Sequence, residues 1–313
     1  LNTQVRHPNI NNLIIPNQHI DMPLLREKGI HLYIRREDTI HPLISGNKYR
    51  KLKYNLLEAK KQGKDTLLTF GGAFSNHIAA TACAGHEQGI KTIGVIRGEE
   101  LQDNWQDNPT LTLAHEHGMQ FHFVSRADYR LKSEPLFIQN LKDRFGDVYV
   151  LPEGGTNDLA VKGCMEILTE EDTIFDYICC AVGTGGTVAG LINAARPHQT
   201  VLGFPALKGD FLIEEIRTFV HNDRWKLVTD YHFGGYAKVD RPLIDFINLF
   251  KSKTGIPLDP IYTGKMLFGI FDLVKKGVFP HGTQILAIHT GGLQGIKGMN
   301  RILKKKNLPL LDV

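Results

Sequence analysis

The stretch "AVGTGGTVAGL" at residues 181–191 places a glycine-rich turn between two apolar runs. The first run continues the β-type segment "FDYICCAV" at 175–182, so the pattern predicts a strand, a tight turn and a helix. Backbone N–H groups at the start of a helix favour an anion, and glycine lets that anion approach the backbone. The stretch therefore predicts either a phosphate-binding loop or a tight turn that binds nothing.

The glycine spacing narrows the kind of phosphate that this loop would bind. The loop lacks the terminal Gly-Lys-Ser/Thr of a P-loop and the third glycine of a dinucleotide-binding fingerprint. A small monophosphate is the better fit, with threonine hydroxyls as additional donors. The candidate phosphate-binding residues are Gly183, Thr184, Gly185, Gly186 and Thr187.

The alternation of a β-type run with a helical run recurs along the chain. Strands are predicted at 65–70, 91–96, 119–124, 147–152, 175–182, 200–206 and 283–290. Helices are predicted at 76–88, from 109 onward, and at 134–145, 158–169, 187–195, 209–220, 240–254 and 264–276. Such alternation is typical of parallel sheets with helices on both faces, so the predicted fold class is α/β.

We predict two domains, each an open and mostly parallel twisted sheet. A smaller domain at 53–154 is inserted into a larger one made of 1–52 and 155–313. Glycine-rich turns follow predicted strands or lie near them, at 70–77, 152–157, 182–187, 232–237 and 289–295. Because open α/β sheets bind ligands at the carboxyl ends of their strands, these turns predict one elaborate site rather than several small ones.

Composition and charge exclude several classes of function. The 37 basic and 33 acidic residues leave a net charge of +4, which is too small to indicate a nucleic-acid-binding protein. No apolar run approaches the roughly 18 residues of a membrane span. The "HEH" at 115–117 has a spacing that does not converge on one helix face, so we predict a helix end and no metal.

The cysteines and the opening segment bear on the compartment. The chain has 4 cysteines without metal-ligand spacing, and the adjacent Cys179 and Cys180 lie in an apolar run, where buried thiols are expected. This usage fits a reducing cytoplasm. The opening residues 1–12 lack the pattern of a secretory signal peptide. We therefore expect a cytoplasmic protein.

The stretch "ISGNKYRKLKYNL" at 44–56 predicts a helix that begins at Asn47 as its N-cap. Lys48 then occupies the first helical position, where the helix dipole disfavours a cation. A lysine held neutral can form a Schiff base, although Lys48 could also be one more surface lysine. We interpret Arg50, Lys51 and Lys53 as solvated cations. The apolar spacing comes from Tyr49, Leu52, Leu56 and Ala59.

Six motifs together resemble one enzyme family. They are "SGNKYRKL" (45–52), "GGAFSNH" (71–77), "GTGGTVAGL" (183–191), "GGYA" (234–237), "YTGK" (262–265) and "HTGG" (289–292). In this order they resemble the pyridoxal-phosphate enzymes that comprise the 1-aminocyclopropane-1-carboxylate (ACC) deaminases and the D-cysteine desulfhydrases. The resemblance covers nearly the whole chain. It implies a tryptophan-synthase-β-like fold, a small amino-acid substrate and a homodimer.

The resemblance also implies roles for individual residues. Lys48 would form the Schiff base with pyridoxal 5'-phosphate, beside the polar Asn47. Ser75 would lie near the substrate carboxylate and assist proton transfer, and Asn76 would bind the phenolic oxygen of the cofactor. Outside this resemblance, Ser75 and Asn76 could simply cap a helix, and His77 receives no catalytic role. The tyrosines expected to face the substrate are Tyr236 and Tyr262.

Two threonines bear on which member of the family the chain resembles. ACC deaminases have "YEGK" and "HLGG", where this chain has Thr263 and Thr290, and Thr290 is also a predicted cofactor contact. A carboxylate near the pyridine nitrogen strengthens the electron sink that cyclopropane opening demands, and a threonine cannot replace it. We therefore predict β-elimination from a small D-amino acid, D-cysteine first. The alternatives are ACC deamination, another substrate such as D-serine, or a non-catalytic binder.

Overall fold

The computed structural model describes residues 15–209 and 211–312. The opening segment 1–12, discussed above as a possible leader, lies outside the described residues. The strands are β1 (Asn17–Ile20), β2 (His31–Arg35), β3 (Thr66–Gly72), β4 (Lys91–Arg97), β5 (Met119–Val124), β6 (Tyr149–Leu151), β7 (Tyr177–Val182), β8 (Thr200–Pro205), β9 (Trp225–Leu227) and β10 (Gln284–Ile288).

Helices fill most of the intervals between these strands. They are α1 (Pro23–Lys28), α2 (Asn47–Lys61), α3 (Asn76–Gln88), α4 (Pro109–Glu116), α5 (Pro135–Phe145), α6 (Asp158–Met165), α7 (Gly186–Ala194), α8 (Phe211–Arg217), α9 (Arg241–Thr254), α10 (Thr263–Lys275) and α11 (Gly295–Lys305). Within the part of the chain that the structure describes, no helix is long and apolar enough to cross a membrane.

The larger sheet has six strands in the order β1-β2-β10-β7-β8-β9. Only β1 runs antiparallel to its neighbour, and the other pairs are parallel. Along β7, Cys179 and Ala181 enter the core on one face, whereas Ile178, Cys180 and Val182 enter the core on the other. A strand buried on both faces needs a continuous apolar sequence, and the predicted burial of both cysteines is confirmed.

The smaller sheet has four parallel strands in the order β5-β4-β3-β6. Leu67 of β3 packs with α2 and α3 residues on one face, whereas Leu68 and Phe70 pack with residues of α5 on the other. All four strands lie within the segment 53–154 that we assigned to the inserted domain. The exact domain boundaries stay a prediction.

The predicted α/β class with parallel sheets is confirmed, and each predicted strand and helix is present within a few residues. The sequence pattern did not predict β1, β2, β9, α1 or α11. The strand β1 is short and polar, and only Ile20 is buried. It becomes a strand because β2 offers a pairing edge, which is a tertiary effect that no local pattern reveals.

Candidate active site

A cavity of about 370 Å³ lies where loops from both sheets meet. Each of the five glycine-rich turns contributes to its wall. The predicted site residues that line it are Asn47, Lys48, Ser75, Asn76, Gly183, Thr184, Gly185, Thr187, Tyr236, Tyr262 and Thr290. Gly186 does not line it, because it is buried as the first residue of α7. The structure thus brings the predicted residues together, and their roles stay a prediction.

The start of α2 is locked against the loop after β10. Gly46 has φ +64°, and a Cβ there would lie 1.9 Å from the carbonyl oxygen of Thr290, so only glycine fits. The N-cap is therefore Gly46, and the prediction that Asn47 caps the helix is wrong. Asn47 is the first helical residue, and its amide donates a hydrogen bond to Thr187 Oγ1 at 2.7 Å. This contact ties α2 to the glycine-rich loop.

Lys48 follows in the first turn of α2 and is half-buried in the cavity wall. Burial, assisted by the positive charge of Lys51, lowers the pKa of Lys48 from 10.5 to about 7. Burial disfavours the charged form of an amine, and a second cation nearby adds to that effect. At neutral pH a large share of Lys48 is therefore the free amine, which is the nucleophilic form.

Lys51 is not the solvated cation that we expected from the sequence. It is 2% exposed, and its ammonium donates to the Gly154 carbonyl at 3.0 Å and to Thr156 Oγ1 at 2.9 Å. Thr184 Oγ1 of the glycine-rich loop lies 3.4 Å from the same nitrogen. Burial lowers the pKa of Lys51 as well. Its partners are 103–133 residues away in sequence, so periodicity within α2 could not reveal them.

The interpretation of Arg50 and Lys53 as solvated cations is also wrong. Arg50 is buried and binds both carboxylate oxygens of Glu37, at 2.9 and 3.0 Å. Lys53 binds both oxygens of Glu166, at 2.9 and 2.7 Å. A paired charge can be buried at modest cost, whereas an unpaired one cannot. These pairs anchor α2 and so hold Lys48 in place.

The glycine-rich loop presents backbone to the cavity at the start of α7. Gly185 is the N-cap with φ +83° and provides no side chain, so the first N–H groups of α7 have no side-chain cap. A Cβ on Gly186 would lie 3.2 Å from Lys51 Nζ and 2.9 Å from a methyl carbon of Thr156. Thr156 and Thr184 join their hydroxyls at 2.5 Å. The loop, two hydroxyls and an ammonium together form an anion site.

Ser75 and Asn76 line the cavity at the start of α3. Ser75 is the N-cap, and its hydroxyl accepts a hydrogen bond from the backbone N–H of Ile78 at 3.3 Å. Asn76 is the first helical residue and lines the cavity. The capping role is therefore present, and it places both side chains at the cavity surface, where they can also meet a ligand.

His77, which received no role from the sequence, is 2% exposed beneath the cavity. Its Nε2 pairs with Thr69 Oγ1 at 2.7 Å, whereas Nδ1 is buried and has no hydrogen-bond partner among the described residues. Burial, together with Lys48 and Lys51, lowers the pKa of His77 well below its ordinary range. His77 is thus a neutral ring packed beside the two lysines.

The two predicted tyrosines are neighbours in the cavity wall, and their rings pack edge to face. The ring centroids of Tyr236 and Tyr262 are 6.2 Å apart at an angle of 66°. Burial, and then the neighbouring Tyr236, raise the pKa of Tyr262 well above 10.0. Partial burial also raises the pKa of Tyr236, which remains 40% exposed. Both hydroxyls therefore stay protonated at neutral pH and can donate hydrogen bonds.

Asp259 builds the turn that carries Tyr262 and contacts the first of the two threonines that distinguish this chain. Its Oδ1 accepts from the backbone N–H of Tyr262 at 2.8 Å, and its Oδ2 accepts from the Thr263 hydroxyl at 2.6 Å. Thr263 is fully buried and does not line the cavity, whereas Thr290 does. The Thr263 hydroxyl thus donates its hydrogen bond to Asp259. Sequence analysis did not identify this aspartate.

Comparisons with known proteins agree with this geometry. The family described as "Pyridoxal-phosphate dependent enzyme" matches residues 10–291. A protein of Pyrococcus horikoshii, provisionally named a 1-aminocyclopropane-1-carboxylate deaminase, is 34% identical over 86% of this chain and 87% of its own. The mitochondrial bifunctional D-cysteine desulfhydrase/1-aminocyclopropane-1-carboxylate deaminase of Arabidopsis thaliana is 30% identical over 89% of this chain and 78% of its own.

A solved structure described as an ACC deaminase homologue superposes with a TM-score of 0.81. It shares 31% sequence identity and covers 93% of each chain. This agreement confirms the tryptophan-synthase-β-like fold that the motifs implied. The chain belongs to the family of pyridoxal-phosphate-dependent enzymes that comprises the ACC deaminases and D-cysteine desulfhydrases, and it is a lyase that uses pyridoxal 5'-phosphate.

Proposed function

We propose that this enzyme catalyses β-elimination from a small D-amino acid, with D-cysteine as the first substrate and pyruvate, sulfide and ammonia as products. The observation that carries the proposal is the position of Lys48. Its amine has a pKa lowered to about 7 and lies in the same cavity as two protonated tyrosines and an anion site. These are a base, hydrogen-bond donors and a binding site for a phosphate group.

The residues present fit the cofactor. The phosphate would bind at the start of α7, with donors from residues 183–187 and the ammonium of Lys51 nearby. Asn76 and Thr290 line the wall on which the ring would lie. A cavity of about 370 Å³ is within the size range of ligand sites. When bound, pyridoxal 5'-phosphate supplies an electron sink for negative charge at the α-carbon of the substrate.

The chain's own groups then perform the proton transfers. Lys48, a large share of which is the free amine at neutral pH because its pKa is lowered to about 7, accepts the α-proton of the substrate. The electron pair of the Cα–H bond forms a double bond between Cα and Cβ, and the electron pair of the carbon–sulfur bond departs with the thiolate. Water then hydrolyses the released 2-aminoacrylate to pyruvate and ammonia. Tyr262 and Tyr236 keep their protons, so each can donate a hydrogen bond to that departing sulfur. Ser75 would bind the substrate carboxylate, next to the N–H groups at the start of α3.

Two observations favour D-cysteine over ACC. Thr290, rather than a leucine, lines the cavity, and Thr263 gives its hydroxyl to Asp259 instead of supplying a carboxylate. Opening the cyclopropane of ACC makes a heavier demand on the electron sink than loss of a thiolate does. The second candidate, ACC deamination, draws its support from the names of the relatives.

A substrate screen tests the proposal. The purified holoenzyme is incubated with D-cysteine, L-cysteine, D-serine, β-chloro-D-alanine and ACC, and pyruvate, sulfide and 2-oxobutyrate are measured. We expect pyruvate and sulfide in equal amounts from D-cysteine and little 2-oxobutyrate from ACC. Efficient release of 2-oxobutyrate would instead establish the second candidate. No product from any of these compounds would refute both.

The assembly and the compartment are part of the same proposal. We propose a homodimer, because the family resemblance implies one, and a cytoplasmic location, because the four cysteines are buried free thiols. Light scattering coupled to gel filtration measures the mass of the assembly. A particle of the monomer mass, 35.1 kDa, would contradict the dimer.

A further inference from the structure

Arg97, the last residue of β4, lines the cavity from the smaller sheet and is exposed. Its guanidinium carbon lies 5.7 Å from the centroid of the Tyr129 ring. Its Nη2 lies 3.4 Å from the point where a Cβ on Gly72 would stand. Within residues 15–209 and 211–312, no carboxylate lies within 4.0 Å of it, and its side chain makes no hydrogen bond.

The two carboxylates that line the cavity are already occupied. Glu153 accepts a hydrogen bond from Tyr129 at 2.8 Å and lies 3.4 Å from the ammonium of Lys132. Asp259 accepts hydrogen bonds at both oxygens from the turn that carries Tyr262. Neither carboxylate therefore compensates the charge of Arg97.

The buried lysine of the cavity is occupied as well. Lys51 uses its ammonium protons on Gly154, Thr156 and Thr184. The guanidinium of Arg97 thus faces the cavity with unused donors, and a planar guanidinium suits a carboxylate-like anion, to which it can bind with two parallel hydrogen bonds.

Arg97 also lies on the side of the cavity where the substrate would sit. Burial raises the pKa of Tyr236, while the hydrogen bond to Tyr262 and the positive charge of Arg97 act in the opposite direction. Arg97 is therefore close enough to Tyr236 for its positive charge to lower the pKa of that tyrosine from the value that burial alone would give. Gly72, against which Arg97 packs, precedes the segment that carries Ser75. Its neighbours are thus the residues assigned to the substrate, and the anion site of α7 lies elsewhere.

The α-carboxylate of the substrate has hydrogen-bond donors other than Arg97. The helix α3 runs for 13 residues, and its first N–H groups have no intrahelical acceptor. Ser75 stands at that same helix start with its hydroxyl. When the start of α3 binds the α-carboxylate of an amino acid, the side chain of that amino acid is the group that Arg97 can contact.

We propose that Arg97 determines specificity by binding a negatively charged group on the substrate side chain. The proposal rests on the proposed function, since it assumes an amino-acid substrate in this cavity. It narrows the substrate class of that function to small amino acids whose β-substituent is negatively charged or leaves as an anion, as the thiolate of cysteine does.

The test compares aspartate with asparagine, which have nearly the same shape and differ in side-chain charge. The holoenzyme is titrated with both enantiomers of each, and binding is followed by calorimetry, so no turnover is needed. We expect aspartate of the preferred enantiomer to bind roughly tenfold to hundredfold more tightly than asparagine, the usual range for a charge-assisted pair. In Arg97→Gln the ratio should fall to about one, and in Arg97→Lys it should be intermediate.

Arg126→Gln is the matched control. Arg126 is an exposed arginine of the same domain, with 74% of its side chain accessible, and it pairs with Glu100 instead of lining the cavity. It should keep the wild-type ratio. The proposal would be overturned if the wild-type enzyme bound aspartate and asparagine equally well. It would also be overturned if the preference for aspartate disappeared in Arg126→Gln. An equal weakening of aspartate and asparagine in Arg97→Gln would overturn it as well, because it would assign Arg97 to the α-carboxylate.

Failure of this inference is distinguishable from failure of the proposed function. If the substrate screen gives product but the aspartate-to-asparagine ratio does not depend on Arg97, only the inference about Arg97 is wrong. If aspartate binds through Arg97 but no amino acid in the screen releases pyruvate, the β-elimination is wrong and the anion-binding site stands. Circular dichroism of each variant checks that it is folded, and the conservative Arg97→Lys variant provides a second, independent measurement.

Discussion

The two ends of the cavity are built in opposite ways. The floor includes Lys51, Gly154 and Thr184, and Thr156 supports it by hydrogen bonds to Lys51 and Thr184, so each of these polar side chains has a partner within the chain. The mouth consists of Phe74, Arg97 and Tyr236, whose side chains are exposed, Tyr236 to 40%. The floor is thus preorganised for a permanently bound group such as the cofactor phosphate. The mouth instead offers hydrogen-bond donors to the substrate, which binds and is released in each turnover.

The backbone at the mouth is also less favourable than the backbone at the floor. The segment 232–237 that carries Tyr236 places Phe233 and Ala237 at φ 55°, a left-handed conformation that is unfavourable for residues with a side chain. Lys265 holds this segment by donating to the carbonyls of His232 and Gly235, both at 2.9 Å. A strained loop that depends on one buried lysine can move more easily than the helix starts that form the floor.

The largest effect should come from Lys48, which stands next to the floor. In Lys48→Ala we expect turnover to fall by at least roughly a thousandfold, because the nucleophile and base are lost together. The absorbance band of the lysine-bound cofactor should disappear as well. Lys61→Ala, on the same helix with 81% of its side chain exposed, is the control and should retain both. Persistence of the band in Lys48→Ala would contradict the assignment.

The second-largest effect should come from a substitution in the floor. In Lys51→Met we expect the apoenzyme to bind pyridoxal 5'-phosphate roughly tenfold to hundredfold more weakly, because the positive charge beside the anion site is removed. The dissociation constant is measured by fluorescence titration, with Lys61→Met, an exposed lysine of the same helix, as the matched control. Unchanged affinity in Lys51→Met would show that the ammonium serves only the packing of Gly154 and Thr156.

The pH dependence of cofactor incorporation probes the coupling between the two lysines. Only the neutral amine of Lys48 attacks the aldehyde, and the pKa of Lys48 is lowered to about 7. The rate should therefore rise roughly tenfold per pH unit below that value and level off above it.

Removing the positive charge of Lys51 should raise the pKa of Lys48, so the midpoint should move to higher pH in Lys51→Met. Stopped-flow absorbance measures both profiles. A wild-type rate that keeps rising toward the ordinary lysine pKa of 10.5 would exclude the shift.

The smallest effect should come from the mouth. In Lys265→Met we expect kcat/KM to fall roughly three- to tenfold, because two buried carbonyls lose their donor and Tyr236 is less well positioned. Affinity for the cofactor should not change, since the floor is untouched. Lys275→Met, exposed on the same helix α10, is the control. Equal losses of cofactor affinity and kcat/KM would mean that mouth and floor are not independent.

The helix α2 shows where prediction from sequence succeeded and where it did not. Leu52 and Ala59 are buried, and Tyr49 and Leu56 pack against them, as the apolar spacing predicted. The cations on the same helix were misinterpreted, because Lys51 and Lys53 find partners 103 and 113 residues away and Arg50 pairs with Glu37, which lies outside the helix. Periodicity reports which face is apolar, but it does not report what the other faces meet.

The sequence by itself determined the α/β class, the family and the residues that gather at the cavity, because strand–helix alternation and glycine-rich turns are local properties of the chain. Tertiary structure alone decided the N-cap at Gly46, the burial of Lys51, the commitment of Thr263 to Asp259 and the unused donors of Arg97. The N-cap at Gly46 and the burial of Lys51 depend on contacts between segments far apart in sequence, whereas Asp259 and Thr263 are four residues apart and meet through the conformation of one turn. The protonation state of Lys48 belongs to the same group, because burial and a neighbouring charge arise only when the chain has folded.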